Sequence, residues 1–559
     1  MRSSLNTYLS GLLILVACLA VSQRATPSST CTTTLDPGNY FSQTWDAAGS
    51  PYCVTGDIVV GNLTIDPGVE VLVDGPYEIS VFTTITAIGT STAPIRFSAK
   101  LPDPPDNQRW RGIKFQDAPS GSTLSHVIIE YSSDAAISVN GASVPDLAHC
   151  LIQHNSNASH GGAIAADTVS GNTSITDCIF QDNYAGTGGG SGWGGAIALS
   201  NVGGDLLIAD STFRNNSSLS AAGAITAGGF GPPMTGAVTI SGSLFQNNST
   251  SAHGAALVLG TNNPGATTIS DSAFVANHST GVFMDGGAMF LSGNAYVHIR
   301  NSYLANNRLD ASCVGASCTS HAQGGAIYAQ SGIILDITDT LISGNSASAS
   351  GLCPGSPAQG GGVHVNAPSQ LLMANTLLVC NEVAASCPND QLGAGVYIGG
   401  AATGLTNVTI ARNLPVEGVR VESTTVNMTN SIVFANGGTN GIELSNSGSN
   451  VTYSNIQTPG PNPFPGTGNI RTNPGFQGTD CAKNGFVTFS ISPAVDTGDP
   501  NAAKNDACLP PGQGSSRNDM GAFGGPGDCT PLPEPRFRAM LIAGLSMLFF
   551  LARRRVLSA

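Results

Sequence analysis

A chain of 559 residues with a net charge of −14, 70 glycines and only 10% charged side chains lies far from average globular composition. Glycine at that frequency without a collagen triplet means disorder or very frequent turning, and 41% apolar residues exclude disorder. Lysine occurs only at Lys100, Lys114, Lys483 and Lys504, so no basic stripe can neutralise phosphates and nucleic acid is excluded as a partner. An apolar, turn-rich, charge-poor chain reads as all-β.

In chain order, Met1-Arg2 leads into an apolar run over residues 11–21, too short to span a membrane and suited to a signal peptide over residues 1–22. Small residues at Cys18, Ala20 and Ser22 suit cleavage by the export machinery. Leu15-Val16-Ala17-Cys18 also fits a lipoprotein box, but the apolar core continues past that cysteine, which favours simple cleavage. Of the 13 cysteines the other twelve are an even number compatible with disulfides in an oxidising compartment. Cys31 with Cys53, Cys313 with Cys318, and Cys380 with Cys387 are the local candidates for pairing.

Residues 23–56 read as an N-terminal segment and cap. From residue 57 short β segments follow, such as Val59-Val60, Val69 to Val71 and Ile79 to Val81, punctuated by Pro67-Gly68 and Gly75-Pro76. Then a repeat sets in. A hydrophobic residue stands three before an Asn at Asn155, Asn183, Asn216, Asn248, Asn277, Asn307, Asn345, Asn381, Asn413 and Asn436, with gaps of 23 to 38 residues. Six before the Asn the column is Asx-rich and includes Asp177, Asp210, Asp271 and Asp339. Five before it lie Cys150, Cys178, Ser211, Ser243, Ser272 and Ser302. A second motif alternates with the first: Gly161-Gly162-Ala163-Ile164, Gly194-Gly195-Ala196-Ile197, Gly286-Gly287-Ala288-Met289, Gly324-Gly325-Ala326-Ile327 and their counterparts.

Each repeat reads as one coil of a solenoid. The hydrophobic residue points inward, the Asn suits a turn and can ladder its amide from coil to coil, and the glycine pair forms a corner. Glycine pairs and β-branched residues in every repeat exclude a helical solenoid. The predicted fold is therefore a single-stranded right-handed parallel β-helix over residues 57–465 with caps at both ends. Ten coils at about 4.8 Å each make a rod of about 50 Å.

The paired motifs resemble the passenger repeats of chlamydial polymorphic outer-membrane proteins and related right-handed parallel β-helix proteins, over roughly residues 150 to 440. Residues 466–527 resemble the C-terminal cap called a choice-of-anchor domain, through Gly468-Asn469-Ile470, Ser492 to Gly498, and Arg517 to Phe523. After a linker over 528–538, the terminus is similar to a PEP-CTERM sorting signal. It has Pro533-Glu534-Pro535, an apolar run within 539–559, and Arg553-Arg554-Arg555. That resemblance implies an exosortase-type processing enzyme as partner and a transient membrane association, the apolar segment being removed at the envelope.

A glycoside hydrolase of this shape needs carboxylates converging on one face, and no adjacent Asp pair or basic residue beside an acidic cluster stands in the sequence. Stacked Asp177, Asp210, Asp271 and Asp339 would suit calcium, but Asn alternates with Asp in that column, as turn residues do. Histidines at turn edges carry no ligand spacing. Cys150 and Cys178, in one column of adjacent coils, read as a structural disulfide or an inward pair. The expected function is a secreted or cell-surface structural and adhesin-like protein contacting envelope or matrix polysaccharide through weakly charged Ser/Thr/Asn faces. The rival is a polysaccharide lyase or hydrolase with a divergent site.

Overall fold

A computed structural model describes residues 30–527, apart from 102, 118–120, 170, 190, 230–231, 263–266, 314–317, 401 and 446–447. The leader over 1–22, Pro533-Glu534-Pro535, the apolar run and Arg553-Arg554-Arg555 lie outside the described residues. Among the described residues the strands form five sheets of 16, 15, 15, 8 and 4 strands, and successive strands within each sheet come from successive coils. Neighbours pair in parallel, so the chain is a parallel β-helix. The first coil runs Thr33–Leu35, Gly38–Phe41 and Thr44–Trp45, one strand in each of three long sheets, then returns to the first sheet at Tyr52–Val54. Coils therefore begin inside the segment read as an N-terminal cap. Cys31–Cys53 ties the first coil to the next, and Trp45 stacks on Tyr52 at 5.2 Å.

The first sheet carries the repeating hydrophobic residue, and the second carries the strand after the glycine pair. Alternation decides which side chains enter: in Val238–Ser241 of the third sheet, Val238 and Ile240 are buried while Thr239 and Ser241 face out. Phe180, Phe213, Phe245 and Phe274 are fully buried and stack with centroids 4.5 to 4.9 Å apart and planes within 3 to 7°. Each such pair adds about 0.5–1.5 kcal/mol beyond area burial.

Two polar ladders run inside the rod. In the first, the amide of each repeat Asn donates to Oδ1 of the Asn in the next coil, from Asn155 to Asn436, at 2.8 to 3.1 Å. The same amide donates to a backbone carbonyl of the preceding coil, as Asn248 does to Phe213. The turn itself is made one residue earlier than the sequence reading placed it. His154, Asp182, Asn215, Asn247 and Asn306 take φ of 54 to 55°, and the ladder Asn that follows each does not. The ladder Asn is held by its buried amide rather than by left-handed backbone.

The second ladder is the column five before the Asn. Backbone N–H groups of Ser211 and Ser243 donate to Oγ of Ser243 and Ser272 in the next coil, both at 3.2 Å, while each hydroxyl donates to the carbonyl two residues back. Cys150 and Cys178 are the first members of this ladder: Cys150 N–H points at Cys178 Sγ (3.3 Å), and Cys178 N–H donates to Ser211 Oγ (3.2 Å). Both are buried free thiols, so the inward pair, not the disulfide, is what forms.

Two more pairing expectations resolve. Cys313–Cys318 forms as expected. Cys380–Cys387 does not: Cys387 bonds Cys353 and Cys380 bonds Cys481. Cys380 occupies the outward-pointing left-handed turn before Asn381, and the strand Glu382–Ala385 carries Cys387 away to lie beside Cys353 of the preceding coil. Cys481 belongs to the C-terminal cap, which folds back along the rod. Phe476, Phe486, Ala494, Met520 and Ala522 pack on Leu341, Leu377, Val379, Ala411, Ile432 and Phe434 of the outer face of the first sheet. Gly521 N–H donates to Asn430 O (2.7 Å), and the Arg412 guanidinium sits 4.7 Å over the Phe486 ring.

Candidate functional site

With the interior filled by ladders, function rests on what faces outward, and the three long sheets differ sharply there. On the N-terminal half of the first sheet the outward column is a closed chain of hydrogen bonds. Arg96 joins Glu70 and Glu130, Gln153 donates to Glu130 Oε2 (2.7 Å), Gln181 to Gln153 (2.6 Å) and Arg214 to Gln181 (2.8 Å). Its C-terminal half lies under the cap.

On the second sheet the outward column follows the glycine motif by one residue and reads Val258, Phe290, Tyr328, His364, Tyr397 and Arg420. Phe290, Tyr328, His364 and Tyr397 stack with centroids 4.6 to 5.5 Å apart and are almost wholly buried. What covers them is an insertion between the first and second sheets. The eight-stranded sheet leaves the rod and the four-stranded sheet returns, the two packing on each other through Met284, Leu309, Ala322 and Ala347 as a thin fin. The fin meets the second sheet at the first glycine of each pair, where a Cβ on Gly286 (φ +71°) would stand 2.1 Å from Met289 O.

In this re-entrant corner His253 Nδ1 accepts Asp285 N–H at 3.2 Å, and His321 Nε2 lies 3.3 Å from Asp285 Oδ1. Burial lowers the His253 pKa, against the pull of Asp285. Burial, with His321 nearby, pushes His364 down to about 3, so it is neutral. Tyr397 donates to Glu422 Oε2 (2.7 Å), and burial first, then this bond, raises its pKa. Arg420 is held by Glu422 (2.9 Å) and Glu443 (2.7 Å). Sequence reading missed this cluster, although part of the signal was present: Phe290, Tyr328, His364 and Tyr397 each follow one of the last four copies of the glycine motif.

The third sheet is different. Its outward positions stay partly or fully exposed along the rod, except Ser270 at 7%. Ser and Thr recur among them in two registered columns, which Leu207, Ala209, His298, Leu372, Ala374 and Gly404 interrupt. One begins Thr44, Thr64, Thr86 and Thr123 and later holds Thr239 and Thr268; the other holds Thr176, Ser241, Ser270, Thr338, Thr406, Thr429 and Thr452. Charge enters these columns only at Asp146, Arg300 and Asp336, and Asp336 accepts the Tyr296 hydroxyl (2.9 Å) beside His298 (3.2 Å).

The acidic column lies at the corner between the third and first sheets. Asp177, Asp210, Asp271 and Asp339 take φ of 49 to 53°, as do Asn301, Asn375, Asn407 and Asn430 at 47 to 52°. Their common property is the left-handed turn, and Asn301 Nδ2 donates to Asp271 Oδ1 (2.5 Å). Among the described residues no group of three His, Cys, Asp or Glu is placed to hold a metal.

With this geometry in view, residues 107–295 match the family model of the right handed beta helix region, which agrees with the right-handed crossovers that parallel strands favour. No curated protein matches the chain. The fold is one shared by adhesin-like and polysaccharide-acting proteins. Among the described residues no helix is long and apolar enough to cross a membrane.

Proposed function

We propose that the protein is an exported structural and adhesive β-helix, displayed at the cell surface or in the matrix, that holds polysaccharide against its third sheet without cleaving it. The observation that carries this reading is the contrast between faces. The first sheet is closed by its hydrogen-bond chain and the cap, the second is filled from Phe290 to Tyr397 by its aromatic column, and the third presents hydroxyls with its side chains open along the rod. Four disulfides resolved with both partners fit an oxidising compartment. The leader, an exosortase-type enzyme acting near Pro533-Glu534-Pro535 and transient membrane association complete the proposal for export. Intact mass of the envelope-associated protein tests it, with loss of the tail beyond that motif expected.

The lyase or hydrolase reading would draw on Asp285, Glu422 and Glu443 in the corner. Glu422 and Glu443 are engaged by Tyr397 and by Arg420, which favours support over turnover at these two. Asp285 lies 3.5 Å from His253 and 3.3 Å from His321, without a hydrogen bond to its Oδ1 among the described residues. A panel of neutral and acidic polysaccharides decides between the two readings, with binding measured by retention and turnover by new reducing ends or unsaturated products. Retention without product is expected. Product formation assigns an enzyme, and absence of any retention ends the adhesive reading.

A further inference from the structure

The third sheet also specifies what kind of polysaccharide it takes, resting on the reading of that sheet as the contact face. We infer that the sheet binds a neutral polysaccharide in an ordered, insoluble form, and not a soluble acidic chain.

The first observation is charge. An acidic polymer needs cations on the surface that meets it, and the columns of the third sheet offer Arg300 alone, against Asp146 and Asp336. The other arginines of the central coils are committed elsewhere: Arg214 to Gln181, Arg308 to Asp310, Arg412 to the cap carbonyls of Gly478 and Asp480, and Arg420 to Glu422 and Glu443. Lys100 and Lys114 are paired with Asp74 and Asp134 on other sheets. A net charge of −14 then opposes any polyanion approaching the rod.

The second observation is spacing. Thr239 and Ser241 stand on one strand, with Thr268 and Ser270 in register on the next. The pattern is therefore a hydroxyl patch two coils deep, spaced about 4.8 Å between coils and about 6.6 Å along the strand, and a single threonine column repeats the coil spacing through Thr44, Thr64, Thr86 and Thr123. Threonine suits a sugar surface, since its methyl meets C–H faces while its hydroxyl donates and accepts. It is also stiff at χ1, and the coils beneath are locked by the inner ladders, so little ordering entropy is lost on contact. A fixed patch gains most from a partner whose groups also repeat at fixed positions, because each further contact is then intramolecular. A soluble chain would first have to be straightened.

The test uses the full chain, retained on microcrystalline β-1,4-glucan, on the same glucan as soluble oligosaccharides, and on a calcium–polygalacturonate gel. Expected are retention on the insoluble glucan that persists at about 1 M salt, where the Debye length is about 3 Å, weak binding of the oligosaccharides, and no retention on the gel. The variant T239V/S241A/T268V keeps β-branched or small residues at partly exposed positions. It should fold, by circular dichroism, and lose retention about tenfold or more, the loss of about 1.4 kcal/mol of contact. Salt-sensitive retention on the gel alone overturns the inference while leaving the adhesive reading intact. Retention on glucan unchanged in the variant overturns it too, by moving the contact to another face. If the variant instead abolishes a dimer seen by sedimentation and leaves glucan retention as it was, the occupant of the sheet is a second copy and the inference fails. No retention on any of the three supports overturns both readings.

Discussion

Replacing Asn248 by alanine measures how much of the rod's stability resides in the amide ladder. Asn248 is fully buried. Its Oδ1 accepts Asn216 N–H (3.1 Å) and Asn216 Nδ2 (3.0 Å), and its Nδ2 donates to Phe213 O (2.9 Å) and Asn277 Oδ1 (3.0 Å). Three of these four partners keep a second bond: Asn216 Nδ2 on Phe180 O, Asn277 Oδ1 from Asn248 N–H, and Phe213 C=O in the parallel ladder with Leu244–Gln246. Asn216 N–H would be left buried and unpaired. At about 1–3 kcal/mol for a stranded group, N248A should cost about 1–3 kcal/mol. Coils couple mainly to their neighbours, so the damage should be local. Hydrogen exchange on the full chain should show faster exchange around Phe213, Asn216 and Asn248, with the coils near Cys53 unchanged, and urea unfolding should show the lost stability. A change within about 0.5 kcal/mol, with unaltered exchange at Asn216, would refute the reasoning. N248D sharpens the test. It keeps the Oδ1 acceptor but turns a second acceptor toward Phe213 O and Asn277 Oδ1, so it should be worse than alanine at neutral pH and recover as acid protonates it.

Further predictions follow from the same contacts. C150S/C178S should be tolerated within about 1 kcal/mol, because serine is the native residue of that ladder in the coils that follow; a large loss in thermal melting would show that the thiols do more. Removing the Cys380–Cys481 bond, which closes a separation of 101 residues, costs up to about 4–5 kcal/mol in the chain-entropy limit. It should loosen the cap around Phe486 and Met520 while the rod stays protected, and equal loosening of both would contradict a cap that packs as an added layer. Burial raises the Asp519 pKa to about 7, against N–H bonds from Asp496 and Gln513. A raised acid pKa means stability present when the group is protonated and lost as pH rises from about 4 through about 7. The cap should therefore resist proteolysis better at about pH 5 than at about pH 8, and D519N should flatten that difference.

The coils were legible because each column repeats: a ladder demands like residues at like places, so Phe three before Asn and the Ser/Thr column five before it stand out in one dimension. The left-handed turn before the ladder was hidden for the opposite reason. His154, Asp182, Ala276, Cys380 and Arg412 share a conformation imposed by the coil, not a chemistry, and no residue type marks it. The fin escaped notice because its strands lie in insertions of unequal length. The return of the cap along the first sheet, and with it Cys380–Cys481, depends on contacts between segments far apart in the chain, which repeat patterns do not encode. The outward aromatic column was readable in principle, yet alternation sorts residues only into inward and outward, and burial by a later insertion overrides that assignment.

Where the insertions fall explains why the third sheet can serve as a contact face. From Ala148 onward, two residues separate each third-sheet strand from the next first-sheet strand: Asp177 and Cys178 after Thr176, Asp210 and Ser211 after Ala209, Asn430 and Ser431 after Thr429. One makes the left-handed turn and the other enters the inner ladder, so this corner admits no change of length without breaking both. By contrast, the path from the ladder Asn to the glycine corner varies from Asn155 to Gly161 up to Asn307 to Gly324, and that variation builds the fin. The inner ladders therefore hold the third sheet in constant phase from Ala148 onward, and its outward hydroxyls inherit that regularity. A polymer that repeats meets Thr239 and Thr268, or Thr406, Thr429 and Thr452, at one fixed step on this sheet, and would meet no such step on the fin.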